Sequence, residues 1–354
     1  MDRLELIKQV GEEIITEEEL KELLQKKKTP VAYDGFEPSG NVHIAQGILR
    51  AININKMIKA GCKFKILIAD WHAWANNKLG GNLDNIQTAG KYFIEVWKAV
   101  DVDLSKVEFI WASELVKDDS YWAKVMRVAR HSTVNRIVRC SQIMGRDEKE
   151  ALQASQILYP CMQAADIFHL NVDITQLGLD QRKVNVLARE LGPKLGYWKP
   201  VAVHHHMLMG LGQPPKSELG GAERAIELKM SKSKPDTAIF MTDSEEDIKR
   251  KIQKAYCPEK EIEENPIIEY CKYIIFEKIK ELKIERPAKF GGDLTIRDFD
   301  ELSAIYTKGE LHPMDLKQAV AKEINRLLEP VRKHFEKGKA KELLSKVNSL
   351  EVTR

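Results

Sequence analysis

The chain has 354 residues, of which 43% are hydrophobic, so it can form two or three domains with a sizeable core. Its formal net charge is only +3, and total charge alone does not indicate nucleic-acid binding. No apolar run approaches a membrane span, and residues 1–5 lack a secretory signal pattern. The five scattered cysteines include no C-x-x-C pair, which indicates reduced thiols in the cytoplasm and argues against a zinc ribbon.

Strand-like and helical segments alternate through the first two thirds of the chain. Residues 16–19 (Thr-Glu-Glu-Glu) have a capping-box pattern that predicts a helix to about Lys26. Short apolar runs that predict strands occur at residues 30–34, 64–69, 107–112 and 201–203. This alternation predicts an α/β domain built on a parallel sheet.

A glycine-containing turn follows the first of these strands. Residues 37–47 (Glu-Pro-Ser-Gly-Asn-Val-His-Ile-Ala-Gln-Gly) connect it to a helical pattern at 48–60, and Gly61 is a suitable helix stop. A helix N-terminus presents unpaired N–H groups and a positive dipole end, which suit a phosphate. His43 can donate to a phosphate oxygen there, although a lone histidine is more often a helix-start or core residue.

Residues 229–233 (Lys-Met-Ser-Lys-Ser) place two lysines and two serines within five positions. They follow a polar stretch with Gly220 and Gly221, which are candidate hinges. Such a loop can bring two ammonium groups and two hydroxyls onto one polyphosphate, where positioned positive charge stabilises the transition state. Taken alone, the same run is also typical of a charged surface loop.

The last third of the chain has mostly helical patterns. Residues 244–247 (Ser-Glu-Glu-Asp) predict a capped helix through Ala255. Longer helical patterns occupy 266–283 and 313–348, and Pro330 is predicted to kink or break the second. This part of the chain is therefore predicted to be a helical domain.

Two further segments have competing interpretations. Residues 122–149 hold seven Lys or Arg against two acids, a pattern typical either of RNA phosphate contacts or of a solvated helix face. Residues 204–206 are three consecutive histidines. Because they have no nearby cysteine or spaced histidine partner, a polar loop is a better prediction than a metal site.

The turn with His43 and the lysine-serine run together resemble the paired signatures of class I aminoacyl-tRNA synthetases, His-x-Gly-His and Lys-Met-Ser-Lys-Ser. The second signature is matched in full, whereas residues 43–46 (His-Ile-Ala-Gln) have Ala for Gly and Gln for the second His. The chain also resembles tyrosyl-tRNA synthetases of the archaeal and eukaryotic type over about residues 30–335. The matching segments are 33–40, 69–73, 159–166, 178–183, 289–294 and 312–317.

The resemblance implies a tyrosine–tRNA ligase that makes tyrosyl-adenylate from L-tyrosine and ATP and transfers the tyrosyl group to the 3′ end of tRNA(Tyr). It implies a Rossmann-like parallel-sheet catalytic domain at 1–237, with a connective insertion at about 118–158 and a mobile loop at about 218–235. An all-α anticodon-binding domain would occupy 238–354. Mg²⁺ would arrive with ATP, bound through phosphate oxygens, without a tightly bound protein metal.

The resemblance also implies a cytoplasmic homodimer with no membrane partner. In the family, the connective insertion carries the dimer interface. The insertion's apolar residues would then serve this interface. They are Val125, Val128, Ile137 and Val138.

A site for tyrosine is implied near the first strand. A phenol hydroxyl needs one group that accepts its proton and one that donates, and Asp166 and Tyr33 have that chemistry. Gln163 lies three residues before Asp166, so a helix would put both on one face. The tyrosine-binding residues implied by the resemblance are Tyr33, Tyr159, Gln163, Asp166 and Gln181. A half-buried helix with a polar side is the alternative for residues 159–166.

ATP is implied to lie between two groups of catalytic residues. These are His43 and Gln46 on one side of the phosphates, and Lys229, Ser231 and Lys232 on the other. A carboxylate that accepts from ribose hydroxyls, as Asp180 would, is common in nucleotide sites, although Gly178 and Asp180 are also ordinary turn residues. The implied ATP-binding residues are Gly35, Glu37, Gly40, His43, Gly178, Asp180, Lys229, Met230, Lys232 and Ser233.

Contacts with tRNA are implied at two places. Arg182 and Lys183 would help to read the first acceptor base pair. Unstacked anticodon bases are recognised by aromatic stacking and polar contacts to their edges. The implied anticodon residues are Phe290, His312, Pro313, Met314 and Asp315. By local chemistry alone, residues 312–315 are also a helix start with Pro at its first position.

Two other functions remain open from the sequence. A tryptophan–tRNA ligase would have a closely similar fold, but Asp166 facing Tyr33 favours a phenol over an indole, which only donates. A non-catalytic RNA-binding paralogue would account for the altered first signature. Such a protein needs no lysine loop at 229–233, which favours the ligase.

Overall fold

The computed structural model describes residues 2–144 and 151–350. One six-stranded sheet contains β1 (Gly11–Ile15), β2 (Val31–Phe36), β3 (Lys63–Ile68), β4 (Val107–Trp111), β5 (Ile174–Gly178) and β6 (Val201–His205). The strand order is β1-β6-β5-β2-β3-β4, and all neighbours are parallel except β1 and β6. Because the chain leaves β2 for β3 on one side and returns through β5 on the other, a crevice forms at the carboxyl ends of β2 and β5.

Helices surround the strands in chain order. They are α1 (Arg3–Lys8), α2 (Glu17–Lys26), α3 (Arg50–Lys59), α4 (Asp70–Ala75), α5 (Leu83–Ala99), α6 (Ala112–Leu115), α7 (Asp119–Arg130), α8 (Val134–Arg139), α9 (Ala154–His169), α10 (Arg182–Leu191) and α11 (Gly221–Leu228). The Thr16 hydroxyl accepts from the Glu19 N–H at 3.2 Å, which confirms the predicted cap of α2. A π-helical turn at Ala45–Leu49 leads into α3.

The last third of the chain is mainly helical. It contains α12 (Glu245–Lys254), α13 (Pro266–Tyr270), α14 (Phe276–Lys278), α15 (Phe299–Lys308), α16 (Pro313–His334) and α17 (Gly338–Asn348). The short strands β7 (Leu282–Ile284) and β8 (Leu294–Ile296) pair antiparallel within it. Ser244 caps α12 as predicted, with its hydroxyl 3.1 Å from the Asp247 nitrogen. Throughout the described residues, every helix is too short or too polar to cross a bilayer.

The predicted strands are present as β2, β3, β4 and β6, but β1 and β5 were not predicted. β1 carries Glu12 and Glu13 among its five residues. β5 includes Thr175 and Gln176, although all of it is buried. Neither strand therefore has the continuous apolar run that marks a buried parallel strand.

The structure contradicts the predicted end of one helix and the predicted break in another. The helix pattern at 266–283 ends at Lys278 because the following residues form β7. Pro330 does not end its helix, since α16 continues through it to His334. Leu328 and Val331 on either side are fully buried, so packing offsets the hydrogen bond that Pro330 cannot donate.

The segment just after residue 237 packs on the turn that carries His43. Ile44 and Met241 belong to one buried apolar cluster. The Ile44 N–H donates to the Ile239 carbonyl (2.9 Å), and the Met241 N–H donates to the Val42 carbonyl (2.8 Å). The helical region and the sheet region therefore share a core beside the predicted phosphate-binding turn.

Candidate active site

A cavity of about 770 Å³ opens at the carboxyl ends of β2 and β5. It brings together residues from β2, the following turn, α9, the segment after β5 and the lysine loop. Gly40 is not among the described residues that line it; its φ of 106° forms the turn before His43. The predicted residues that do line it are Tyr33, Gly35, Glu37, His43, Gln46, Tyr159, Gln163, Asp166, Gly178, Asp180, Gln181, Lys229, Met230, Ser231, Lys232 and Ser233.

Asp166 is fully buried at one end of this cavity, on α9. The Tyr121 hydroxyl donates to its Oδ1 at 2.9 Å, and His72 Nε2 lies 2.9 Å from its Oδ2. Burial lowers the pKa of His72, but the Asp166 carboxylate outweighs this and raises it. Burial also raises the pKa of Tyr33 well above its usual value, so this phenol keeps its proton and can donate.

His72 and Tyr121 were not predicted as site residues. His72 comes from α4, which follows β3, and Tyr121 comes from α7 in the insertion. Each is far from Asp166 in sequence, so only the tertiary fold reveals the contact. The position of His72 inside the matching segment 69–73 was the one sequence signal that it belongs to the site.

Amide and carboxylate groups continue along the cavity from Asp166. Gln163 Nε2 donates to Gln181 Oε1 at 3.0 Å. Glu37 accepts from Asn76 Nδ2 at 3.1 Å. Burial and the Glu37 carboxylate raise the pKa of Tyr159 well above its ordinary value, so its hydroxyl remains a donor. These groups can surround an ammonium and a carboxylate beside the phenol site.

The turn after β2 forms the opposite end of the cavity. Burial and the nearby Lys232 ammonium hold the pKa of His43 well below its usual value, so its imidazole is neutral. The Gln46 carbonyl accepts from Trp97 Nε1 at 3.3 Å. A Cβ on Gly47 would lie 2.2 Å from Met241 Sδ, so only glycine allows this close packing.

The lysine loop is attached to the cavity wall at both ends. Lys229 Nζ donates to Asp180 Oδ2 at 2.8 Å, and Lys232 Nζ donates to Ser39 Oγ at 3.1 Å. Met230 between them is 4% exposed. Burial, reinforced by Lys78, lowers the pKa of Lys232 to about 7. The loop therefore holds two amines over the cavity, one of which is half neutral near pH 7.

Asp180 is ionised in this arrangement. Burial raises its pKa, but the Lys229 ammonium outweighs burial and holds the pKa below its ordinary value. A Cβ on Gly178 would lie 2.5 Å from Asp180 Oδ1, so glycine permits the carboxylate to fold back toward the cavity. A ligand hydroxyl at Asp180 would therefore share this carboxylate with Lys229.

A buried ion pair that was not predicted also lines the cavity. Arg50 Nε lies 3.1 Å from Asp34 Oδ2, and the side chains are 13% and 2% exposed. Burial raises the pKa of Asp34 to about 7 even though Arg50 opposes this. A charged residue inside a buried strand, as in Tyr33-Asp34-Gly35, was the sequence signal for this pair.

The predicted tRNA-binding residues lie at two separate places. Arg182 begins α10 directly after Gln181 and is exposed, with Nε 2.9 Å from Glu13 Oε1, and Lys183 beside it is half-buried. Farther along the chain, His312 Nδ1 accepts from the Met314 N–H (3.1 Å) and caps α16.

The rest of the anticodon set surrounds this cap. Pro313 is buried at the first helical position, Met314 is 39% exposed and Asp315 is half-buried. The Phe290 side chain lies outside the described part of the structure. The local interpretation of residues 312–315 as a helix start is confirmed.

The apolar residues of the insertion do not face outward as expected for an interface. Val125 and Val128 are fully buried, and Ile137 is 4% exposed, all within the core around α9; Val138 is half-buried. The large apolar residues that are exposed nearby are Trp74, Met126, Val134 and Leu158. Helical periodicity predicted an apolar face correctly. This face is buried against other elements of the same chain and not left for a second subunit.

The three histidines do not form a polar loop. His204 and His205 are buried in β6, and His206 follows the strand. His204 Nδ1 lies 2.7 Å from Glu13 Oε2. His205 Nδ1 lies 2.5 Å from Gln176 Nε2. The run therefore lies at the end of a strand. Both buried imidazoles are tolerated there because each has a polar neighbour on an adjacent strand.

Comparisons with known proteins agree with this geometry. Residues 25–329 match the family of tRNA synthetases class I (W and Y). Tyrosine–tRNA ligase 1, cytoplasmic, of Arabidopsis thaliana is 52% identical, over 99% of this chain and 89% of that protein. A crystal structure of tyrosyl-tRNA synthetase complexed with L-tyrosine from Pyrococcus horikoshii has a TM-score of 0.91 at 41% identity, covering 99% and 100% of the two chains.

A tryptophanyl-tRNA synthetase structure from Aeropyrum pernix K1 is also similar. Its TM-score is 0.67 at 19% identity, covering 96% of this chain and 85% of that chain. At this identity the likeness shows a shared fold alone. The detailed similarity therefore lies with the tyrosine enzymes.

Proposed function

This chain belongs to the class I tyrosine–tRNA ligases, and we propose that its cavity binds tyrosine at the Asp166 end and ATP at the lysine-loop end. The reaction has two steps: L-tyrosine and ATP give tyrosyl-adenylate and pyrophosphate, and the tyrosyl group then passes to the 3′ end of tRNA(Tyr), releasing AMP. The observation that carries the assignment is the buried Asp166 beside Tyr33, Tyr121 and His72. A phenol hydroxyl can donate to this carboxylate and accept from Tyr33.

Discrimination between amino acids follows from these buried polar groups. Phenylalanine would leave Asp166 and Tyr33 without the hydrogen bonds that a phenol supplies, which is costly in a buried site. Indole can donate to Asp166 but cannot accept from Tyr33, which disfavours tryptophan. Gln163, Gln181 and Tyr159 would hold the amino group farther along the cavity.

Adenylate formation requires the tyrosine carboxylate to attack the α-phosphorus of ATP. His43 and Gln46 would contact the phosphates on one side, and Lys229, Ser231 and Lys232 on the other. Because the protein offers no covalent nucleophile, its contribution is orientation of the reactants and stabilisation of negative charge. Asp180 would accept from the ribose, and polyphosphate would restore the full charge of Lys232.

Mg²⁺ would enter with ATP. The described residues contain no group of three or more His, Cys, Asp or Glu that could hold a metal. In nucleotide sites Mg²⁺ is usually bound through phosphate oxygens with few protein ligands, and we propose the same mode of binding here. The ion would supply positive charge to the phosphates.

For tRNA, we propose two contact regions on the two predicted domains, 1–237 and 238–354. Arg182 and Lys183 follow the tyrosine-binding Gln181 directly, so an acceptor end that reaches the cavity would pass them. The exposed His312 and Met314 at the start of α16 would contact the anticodon. Most of the interaction with RNA would come from phosphate contacts.

A homodimer would bury exposed apolar surface on and near the insertion. Met126 is 54% exposed, Val134 is 63% exposed and Leu158 is 40% exposed, in one region of the chain. A cytoplasmic location is supported by the name of the Arabidopsis relative. Sedimentation of the unaltered chain and of Met126→Glu would test the interface, since a buried unpaired charge opposes association.

The test of the function is amino-acid-dependent exchange of labelled pyrophosphate into ATP. Tyrosine, phenylalanine and tryptophan are offered separately. Exchange with tyrosine alone is expected. Exchange with tryptophan would contradict the assignment of the Asp166 end, and absence of exchange with all three would favour an RNA-binding protein without ligase activity.

A further inference from the structure

His206 joins three parts of the molecule beside the cavity. It follows β6 in the cavity wall and was not a predicted site residue. Its ring stacks on Tyr273, with centroids 4.0 Å apart and planes 10° apart. Nδ1 lies 3.0 Å from Glu12 on β1, and Nε2 lies 3.2 Å from Glu269 on α13. The imidazole therefore connects the sheet edge to the helical region.

The two carboxylates keep this imidazole charged. Burial lowers the pKa of His206, but Glu12 and Glu269 outweigh burial and raise it to about 9. The hydrogen bond from His206 in turn lowers the pKa of Glu12. The cluster is thus an imidazolium between two carboxylates, with a charge-assisted hydrogen bond to Glu12 and an ion pair with Glu269.

Glu269 has a second contact, which leads to the lysine loop. Its Oε2 accepts from the Met209 N–H at 3.0 Å. Met209 is paired with Lys229 in an antiparallel bridge. Two backbone hydrogen bonds flank this bridge, from Met230 N to Leu208 O (2.8 Å) and from Gly210 N to Leu228 O (3.0 Å). The backbone of Lys229 is therefore fixed to a segment that Glu269 holds.

We propose that Glu269, held by His206, is a positioning residue that sets the place of Lys229 for ATP activation. This inference rests on the proposed function, in which Lys229 contacts ATP. Glu269 reaches Lys229 only through the Met209 backbone, so it acts on catalysis without touching substrate. Because reacting groups must be placed within a fraction of an ångström, a displaced bridge would slow the ATP-dependent step.

A nearby acidic residue supplies a matched control. Glu264 precedes α13 and contacts Arg224 on α11, with Arg224 Nε 2.6 Å from Glu264 Oε1. This pair also links the helical region to the flank of the lysine loop, but the Glu264 side chain is 41% exposed. Arg224 also pairs with Glu227 at 2.6 Å, so it keeps a carboxylate partner when Glu264 loses its charge, and the substitution should be tolerated.

The experiment compares Glu269→Ala, Glu269→Gln and Glu264→Gln in the full chain. Pyrophosphate exchange at varied ATP gives kcat/KM for ATP, and calorimetry gives the Kd of tyrosine without ATP. Hydrogen exchange followed by mass spectrometry reports the amides of residues 206–211 and 228–232. Glutamine at 269 keeps an acceptor for the Met209 amide but removes the charge beside His206.

We expect Glu269→Ala to lower kcat/KM for ATP about tenfold, as a misplaced reacting group does. The tyrosine Kd should stay unchanged, and the amides of Met209 and Met230 should exchange faster. Glu269→Gln should recover part of the loss. Glu264→Gln should change kcat/KM by less than about twofold, since Arg224 keeps its contact with Glu227.

Unchanged ATP kinetics in Glu269→Ala would overturn the proposal. An equal loss of tyrosine binding would also overturn it, because it would indicate a general structural role. If the unaltered chain shows no exchange with tyrosine, the proposed function fails instead. In that case faster amide exchange at 228–232 in Glu269→Ala would still support the contact with the loop, and unchanged exchange would contradict it.

Discussion

The two ends of the cavity differ in how their central charged groups are held. At the tyrosine end, Asp166 is contacted by both Tyr121 and His72, and among the described residues His72 Nδ1 is left without a hydrogen-bond partner. Gln163 is bonded to Gln181 in the same region. These buried side chains come from separate elements and hold each other in place before any ligand arrives. Such a site is preorganised for one shape and one pattern of hydrogen bonds.

At the ATP end, several polar groups are not paired. Within the described residues, His43 Nδ1 and Gln46 Oε1 are buried without a hydrogen-bond partner. Lys232 is buried beside Lys78, which lowers its pKa to about 7. The Lys229 ammonium forms an ion pair with the Asp180 carboxylate. A polyphosphate would supply acceptor oxygens for His43 and Lys232 and negative charge beside the two lysines.

The comparison shows how one cavity can separate specificity from catalysis. The groups proposed to select tyrosine are fixed by contacts among themselves, so they would reject a ligand that fails to match. The groups proposed to act on ATP would gain their full set of partners only when phosphate is bound, so their best arrangement would coincide with the reacting complex. The two ends should therefore respond differently to substitution.

The largest expected effect is at the tyrosine end. Asp166→Asn removes a buried charge that three groups face, and disruption of such a partner costs roughly 2–5 kcal/mol. We expect kcat/KM for tyrosine to fall about 10³-fold, with ATP binding largely retained. Pyrophosphate exchange and calorimetry measure the two effects. An equal loss of ATP affinity would contradict the division of the cavity.

Lys232→Ala should slow adenylate formation and leave tyrosine binding intact. The substitution removes one cation from the phosphates, and we expect adenylate formation in a single turnover to slow about 10²-fold. Tyrosine binding should not change because Lys232 contacts Ser39 and not the phenol site. Normal single-turnover rates would remove Lys232 from the catalytic set.

His72→Gln should weaken tyrosine binding moderately. The change removes the charged neighbour of Asp166 but keeps an amide that can donate. We expect the tyrosine Kd to rise about tenfold, since hydrogen bonds to charged groups contribute roughly 1.5–3 kcal/mol. Titration calorimetry gives the value, and Gln87→Ala on α5 is a control outside the cavity lining. An unchanged Kd would show that Tyr121 alone holds Asp166.

The smallest expected effect is a change in proton uptake. Lys232, with a pKa of about 7, is mostly neutral at pH 8, and bound polyphosphate raises its pKa. ATP binding at pH 8 should therefore take up a proton, and ATP affinity should fall as pH rises from 7 to 9. Calorimetry in two buffers of different ionisation enthalpy measures the uptake. Lys232→Arg should abolish it because arginine stays charged.

The sequence predicted the residues whose chemistry is visible locally. Lysine and serine at 229–233 and the glycine-containing turn at 37–47 predict phosphate contacts, and both segments line the cavity. His72 and Tyr121 could not be predicted, since nothing in their neighbourhood shows that they meet Asp166. These partners depend on how α4 and α7 pack against α9.

The same limitation explains the wrong prediction for the insertion. The spacing of Val125 and Val128 identifies an apolar helix face, but it does not tell whether the same chain or a second one covers it. The strands β1 and β5 were missed because polar residues such as Glu13 and Gln176 interrupt them. Those polar side chains pair with His204 and His205 on β6, which only the assembled sheet reveals.

The most direct test of the contrast between the two ends is hydrogen exchange measured without ligand and with a non-hydrolysable ATP analogue plus tyrosine. Residues 159–166 represent the tyrosine end, and residues 231–233 represent the ATP end, since the Met230 amide is already bonded to Leu208 without ligand. The account predicts slow exchange at 159–166 under both conditions and protection of 231–233 only when both ligands are present. Protection of 231–233 without ligand, or fast exchange at 159–166 until tyrosine is added, would contradict it.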